Sequence, residues 1–255
     1  MIDLPTGAGR PPLVAVAHGS RDPRSAATVT DLLDVVRALR PELDVRIAFL
    51  DLSAPRLGDV LVALHGEGHR DAVVVPLLLG SAYHARVDVP GAVTEVLRRC
   101  PDLTVRIAEV LGPDPRLESA ALRRLAEAGV LPGDPGMGVV LAGAGCSYPP
   151  ANEAVAEVAN RWSSGAGWAG AVAAFAASAE PDVPAAVRRL RAAGARRFAL
   201  ASWFLAPGLL PDRVTDQLLD ADPDAVLAAP LGNDPEVAEV VLHRYADALA
   251  RPAAA

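Results

Sequence analysis

The sequence predicts an α/β protein of two similar lobes, each a four-stranded parallel sheet flanked by helices, produced by an internal duplication. Three observations predict it. Short runs rich in Val, Leu and Ile alternate with longer amphipathic segments along all 255 residues. The runs do not alternate in polarity, which is the pattern of strands buried on both faces. The second half of the chain also repeats the first at a nearly constant offset.

The elements follow in order. Leu13–Ala17 is the first strand run, and Ala26–Leu39 the first helix, with Val29, Leu32, Leu33, Val36 and Leu39 at helical spacing and Ser25 as its cap. Val45–Leu50, Ala72–Leu79 and Val105–Val110 are the next strands, and Pro55 suits the first turn of the helix between the first two of these. The Pro/Gly-rich stretch Gly129–Gly138 reads as a linker. Beyond it come Val139–Gly143, Ala169–Phe175, Phe198–Phe204 and Ala225–Ala229, with Pro181 placed as Pro55 is. Strands alternating with helices in this way build parallel sheets covered on both sides.

Sliding the chain by 126 residues lays Gly19 on Gly145, Pro23 on Pro149, Phe49 on Phe175, Pro55 on Pro181, Arg70 on Arg196 and Leu79 on Leu205. After a six-residue deletion the offset is 120, and Leu111-Gly112-Pro113-Asp114-Pro115 falls on Leu231-Gly232-Asn233-Asp234-Pro235. The expected lobes are residues 10–128 and 137–250. The repeat is also an internal control. His18 falls on Ala144, Asp51 on Ala177 and His84 on Leu210, so the second lobe keeps glycines and prolines and loses three polar groups.

Composition removes whole classes of function. All 24 cationic residues are Arg, so there is no lysine for a Schiff base or a phosphate-binding P-loop. The 51 alanines, with Arg in place of Lys, reflect GC-rich codons. A net charge of −7 argues against a general nucleic acid binder. Cys100 and Cys146 are too few for a disulfide scaffold. The N-terminus lacks the charge and apolar run of a signal peptide, and the uncharged stretch Trp162–Ala179 is too weakly apolar to span a membrane. The expectation is a cytoplasmic protein.

His18 ends the first strand, Asp51 ends the second and His84 follows the third, so all three lie on the carboxyl edge of one sheet, where ligands bind. A lone histidine is ordinarily structural; two on one edge, both lost in the duplicate lobe, are not. Imidazoles and a carboxylate suit Fe, Co, Ni or Zn, and imidazole can accept a proton near pH 7. Asp51 could equally cap the helix that follows it. Gly19-Ser20 offers backbone N–H groups to an anion, and Arg21, Arg24 and Arg86 flank the histidines as docking groups for carboxylates. His65 and His69 lead into the amino end of strand three, on the opposite edge, and read as solvated loop; His243 reads as surface. Cys146 in Gly-Ala-Gly-Cys-Ser has the outline of a nucleophile elbow but no His–acid partners in its lobe, and reads as a small packed residue.

The segments His-Gly-Ser-Arg-Asp-Pro at 18–23, Phe-Leu-Asp at 49–51 and Val-Pro-Leu-Leu-Leu-Gly-Ser-Ala-Tyr-His at 75–84 resemble the small sirohydrochlorin chelatases. Ala-Ser-Trp-Phe-Leu-Ala-Pro-Gly-Leu-Leu-Pro-Asp at 201–212 is similar to the degenerate half of their two-lobe members. The resemblance implies a lyase that inserts Fe2+ or Co2+ into sirohydrochlorin for sirohaem or cobalamin, with the metal as substrate and no organic cofactor. It implies metal binding by His18 and His84, with Asp51 at the position where the family more often has Glu. Substrate contacts would fall to Ser20, Arg21, Arg24, Tyr83 and Arg86. The chain would be a monomer whose two lobes replace a homodimer, with no nucleic acid or membrane partner. The competing reading is a non-catalytic metal or tetrapyrrole carrier on the same fold. The chain ends Arg-Pro-Ala-Ala-Ala, without the histidine-rich tail of some members.

Overall fold

The computed structural model of the chain describes residues 9–80 and 87–251. Strands and helices alternate along them: β1 (Leu13–Ala17), α1 (Pro23–Leu39), β2 (Val45–Phe49), α2 (Leu57–Gly66), β3 (Asp71–Pro76), α3 (Val89–Arg99), β4 (Thr104–Ile107) and α4 (Pro115–Glu127), then β5 (Met137–Gly143), α5 (Pro149–Gly165), β6 (Gly170–Phe175), α6 (Val183–Ala192), β7 (Arg197–Trp203), α7 (Leu209–Ala221), β8 (Val226–Leu227) and α8 (Pro235–Ala250). Two parallel four-stranded sheets result, ordered β2-β1-β3-β4 and β6-β5-β7-β8. The predicted fold class is correct.

The repeat holds at the level of register. Leu13 lies opposite Val45 and Val73, and Val139, 126 residues on, lies opposite Ala171 and Ala199. Beyond the deletion the offset of 120 also holds, because Val73 opposite Arg106 becomes Ala199 opposite Val226. Every residue of the central strands β1 and β5 is buried, as unbroken apolar runs require. At one edge of each sheet, β4 and β8 contain no buried residue, whereas β2 and β6 at the other edge are mostly buried.

The chain forms two compact units, residues 1–114 with 233–255, and residues 115–232. These cut across the expected lobes, since each unit contains the last helix of the other repeat. In unit 1, α2 and α3 pack Leu57, Leu61, Leu64, Val89, Val93 and Val96 against Val14, Val16 and Val74 on one face of the sheet. On the other face α1 packs beside α8, which also lies on β3. Arg244 of α8 donates to the carbonyls of Val110 and Leu111, both at 2.8 Å, and the Tyr245 hydroxyl donates to Pro11 O at 2.7 Å. In unit 2, α4 lies on β7, and Arg124 donates to Leu231 O at 3.1 Å. Arg124 and Arg244 are 120 residues apart, as are Leu231 and Leu111, so the two bonds are repeat equivalents with the helices exchanged. The physical reason is coverage: α1 and α5 each cover only part of one sheet face, and the exchanged helix fills the rest with a buried apolar stripe. That stripe is Leu117, Ala120, Ala121 and Leu125 in α4, and Val237, Val241 and Tyr245 among others in α8.

Several local expectations shift. Asp22, not Ser25, caps α1, accepting from Arg24 N at 2.9 Å, and Pro23 opens the helix. Pro55 and Pro181 stand ahead of the caps of α2 and α6 instead of inside the first turn. Met137 and Gly138, the end of the expected linker, already belong to β5. The stretch Trp162–Ala179 divides between the end of α5 and β6, and no helix among the described residues is long and apolar enough to cross a membrane.

Candidate functional site

The site is built where β1 and β2 run out. Their ladder continues one step past the strands, with Leu50 N donating to Ala17 O at 3.0 Å and Asp51 N to His18 O at 2.9 Å. This sets Asp51 beside His18 on the carboxyl edge, as the sequence predicted. Gly19 makes the approach possible: its φ is +96°, and a Cβ there would stand 1.7 Å from Asp51 O. His18 is exposed, and 61% of the Asp51 side chain is open to solvent, so both are accessible to a ligand.

Side chains outside the predicted set fix these loops. Ser53 Oγ accepts from Ser20 N at 3.1 Å and donates to Ser20 O at 2.9 Å, tying the loop after β2 to the loop after β1. Ser20 Oγ accepts from Asp22 N at 3.0 Å, so this hydroxyl is part of the turn into α1. Arg56 Nη1 donates to Asp51 Oδ1 at 2.7 Å and to Leu50 O at 2.9 Å. The Arg56 guanidinium holds the Asp51 carboxyl below the usual carboxylate range, with the Leu52 amide and the charge of His18 contributing less. The alternative of Asp51 as helix cap is thereby corrected: the cap position of α2 is Arg56, five residues on, and Asp51 spends an oxygen on that arginine.

The remaining candidates fall out as follows. Arg21 is exposed. Arg24 forms a fork with Asp22, its Nη2 reaching Oδ2 at 2.5 Å, and depresses that carboxyl; its charge is already partnered. Tyr83, His84 and Arg86 lie outside the described residues. His65 closes α2, instead of lying in a loop, and contacts Asp102 at 2.7 Å. His69 sits within reach of Asp44 and Glu67 at the amino edge, but Arg46 already bridges those two carboxylates, at 2.6 and 2.7 Å. His243 faces Asp247 one turn away at the surface.

Unit 2 repeats the backbone with Ala144 and Ala177 where unit 1 has His18 and Asp51. Ala177 N donates to Ala144 O at 3.0 Å, and a Cβ on Gly145 would stand 2.1 Å from Ala177 O. Cys146 has its thiol 3.5 Å from Tyr148 O and 3.5 Å from Asn152 Oδ1, with no histidine or basic group as partner among the described contacts. A cleft of about 500 Å³ opens beside it, lined by Asn152, Glu153, Phe175, Ser178 and Glu180 among others.

Sequence reasoning missed Arg56 and Ser53. The repeat carried the signal: Arg56 falls on Asp182 and Ser53 on Ala179, so both change together with Asp51.

A family model described as CbiX matches residues 12–128 and again 138–248. A sirohydrochlorin ferrochelatase of Priestia megaterium is 26% identical over 235 residues, spanning 90% of this chain and 87% of the relative. A sirohydrochlorin cobaltochelatase of Methanosarcina acetivorans is 26% identical over 123 residues, 46% of this chain and 95% of its own length. Among solved structures, SirB from Bacillus subtilis with Fe3+ superposes with a TM-score of 0.79 at 23% identity, covering 94% of this chain and 96% of SirB, a likeness of fold.

Proposed function

The chain belongs to the CbiX family, and from that premise we propose that it is a sirohydrochlorin chelatase, a lyase that inserts Fe2+ or Co2+ into the macrocycle with no organic cofactor. The observation that carries the reading is the pairing of His18 and Asp51 on the carboxyl edge of unit 1, against Ala144 and Ala177 on the same edge of unit 2.

Insertion asks three things of a site: to hold a hydrated divalent ion with positions left open, to let it shed water, and to take up two pyrrole N–H protons. His18 and His84 hold the ion and accept protons as neutral imidazoles. Asp51, kept ionised by Arg56, lowers the charge cost of bringing a dication to the edge. The exposure of His18 and Asp51 fits a metal that must leave for the macrocycle, since a buried, closed set of ligands would retain it. Arg21, Arg86, Ser20 and Tyr83 would serve the carboxylates of sirohydrochlorin; Arg24, already paired to Asp22, contributes least. Unit 2 is scaffold. The second repeat takes the place of a second subunit, so the working form is a cytoplasmic monomer, with repeats 10–128 and 137–250 as the duplicated lobes.

Turnover tests the reading. With protein at one-hundredth the concentration of sirohydrochlorin, Co2+ or Fe2+ insertion should run to completion faster than the spontaneous reaction, with one metal bound per chain by titration. A single stoichiometric burst that stops would identify a carrier and overturn the enzyme. Two equivalent metal sites per chain would overturn the assignment of unit 2.

A further inference from the structure

The residue at the cap of α2 breaks a local rule. A helix N-terminus favours Ser, Thr, Asp or Asn at the cap and disfavours a cation, because the first N–H groups point outward and carry the positive end of the dipole. The cap of α2 is Arg56, with φ −74° and ψ 148°, and its side chain makes no capping bond. At the equivalent position of unit 2 stands Asp182, which caps α6 by accepting from Ala185 N at 2.8 Å. The scaffold alone therefore accommodates a good cap here, and unit 1 carries a poor one. What Arg56 does instead is visible: one nitrogen, Nη1, joins Asp51 Oδ1 to Leu50 O. Where the second lobe has Ala177 in place of Asp51, it has Asp182 in place of Arg56. The acid and its arginine are present together or absent together.

We infer that Arg56 is a positioning residue of the insertion site, placed at the cap of α2 to hold the Asp51 carboxylate beside His18 at the cost of helix capping. This rests on the site proposed above. An aspartate with 61% of its side chain exposed samples several rotamers, and a tether on one oxygen removes that freedom before the ion arrives. The guanidinium also brings a positive charge toward a cation, which limits the gain. Exposed ion pairs of this kind shift equilibria by about fivefold at most.

The test is steady-state insertion of Co2+ by Arg56→Ser, Arg56→Lys, Asp51→Ala and the double variant Asp51→Ala/Arg56→Ser, with thermal unfolding of each. Serine can cap, so Arg56→Ser should melt at or above the wild-type temperature while its KM for Co2+ rises about three- to fivefold and kcat changes less than twofold. Lysine also offers a single nitrogen to both acceptors, and Arg56→Lys should restore KM to within twofold of wild type. In the Asp51→Ala background Arg56→Ser should add nothing. A lower melting temperature with a proportional loss of rate, a KM unmoved in Arg56→Ser, failure of lysine to rescue, or a full additional loss in the double variant would each overturn the inference. Asp51→Ala that leaves KM unchanged would instead sink the site itself, and the role of Arg56 with it.

Discussion

The loops after β1 and β2 follow the same backbone path as those after β5 and β6, yet different side chains hold them. Gly19 and Gly145 both adopt positive φ, at +96° and +74°, and Leu52 and Ser178, 126 residues apart, sit at +60° and +57°. In both units the residue after the first strand accepts from the residue two past the end of the second. In unit 1, Ser53 braces loop against loop, while Arg56 ties Asp51 and Leu50 within the second loop. In unit 2, Asn152 of α5 grips the Cys146 backbone from within the same segment, accepting from its N–H at 3.1 Å and donating to its carbonyl at 2.7 Å. The first arrangement fixes two strand ends relative to each other; the second fixes one loop to its own helix. A duplicated fold can therefore keep its strained backbone while the side chains across it change. In this chain the glycines are shared by the two units, and the cross-loop polar contacts are not.

Breaking the comparison at the site should give the largest effect. His18→Ala is expected to lower chelation by at least about 100-fold with the fold intact, while Ala144→Ser, its counterpart in unit 2, should leave the rate within about twofold. Initial rates of Co2+ insertion check this, and equal losses from both variants would mean that unit 2 shares the chemistry. The glycines should behave in the opposite way. Gly19→Ala and Gly145→Ala each force a Cβ into a carbonyl oxygen at a positive φ, and each should cost about 2–4 kcal/mol by urea unfolding. Only the first should abolish activity beyond its effect on the folded fraction. The smallest effect sharpens a difference at the exchanged helices, where unit 1 buries Tyr245 and unit 2 has Leu125 at the same repeat position. Burial pushes the Tyr245 phenol up to about 12 from an ordinary value near 10. Its neutral form is the one folding favours, so its contribution is fully present below about pH 10 and is lost as pH rises toward 12. That loss is on the order of 3 kcal/mol at most. Tyr245→Phe should cost about 1–2 kcal/mol at pH 7, because Pro11 O loses its donor. The same variant should show a smaller alkaline decline in stability than wild type.

Much of this was legible in the sequence. Register is fixed by which residues must be buried, so an offset of 126 measured on Gly, Pro and Phe reappears as ladder pairs. The shared edge of His18 and Asp51 was legible because strand ends in an open parallel sheet lie along one edge. The helix exchange was not legible. An amphipathic stripe states that a face must be buried, not which sheet buries it, and α4 and α8 carry apolar stripes that either sheet could accept. The cap of α1 was misplaced because Ser25 and Asp22 are both good capping residues three positions apart, and Pro23 decides between them. Arg56 was invisible by type, since an arginine near a helix start reads as solvated surface until its carboxylate partner is seen.

The exchanged helices also set an order in time. A ribosome completes residues 115–232, all of unit 2, before it adds any residue of α8. Unit 1 was begun first, but it waits for Val237, Val241 and Tyr245 to cover one face of its sheet, and for Arg244 to reach the carbonyls of Val110 and Leu111. The half that carries His18 and Asp51 is thus the last to be finished, because the helix that completes its cover is made after all of unit 2.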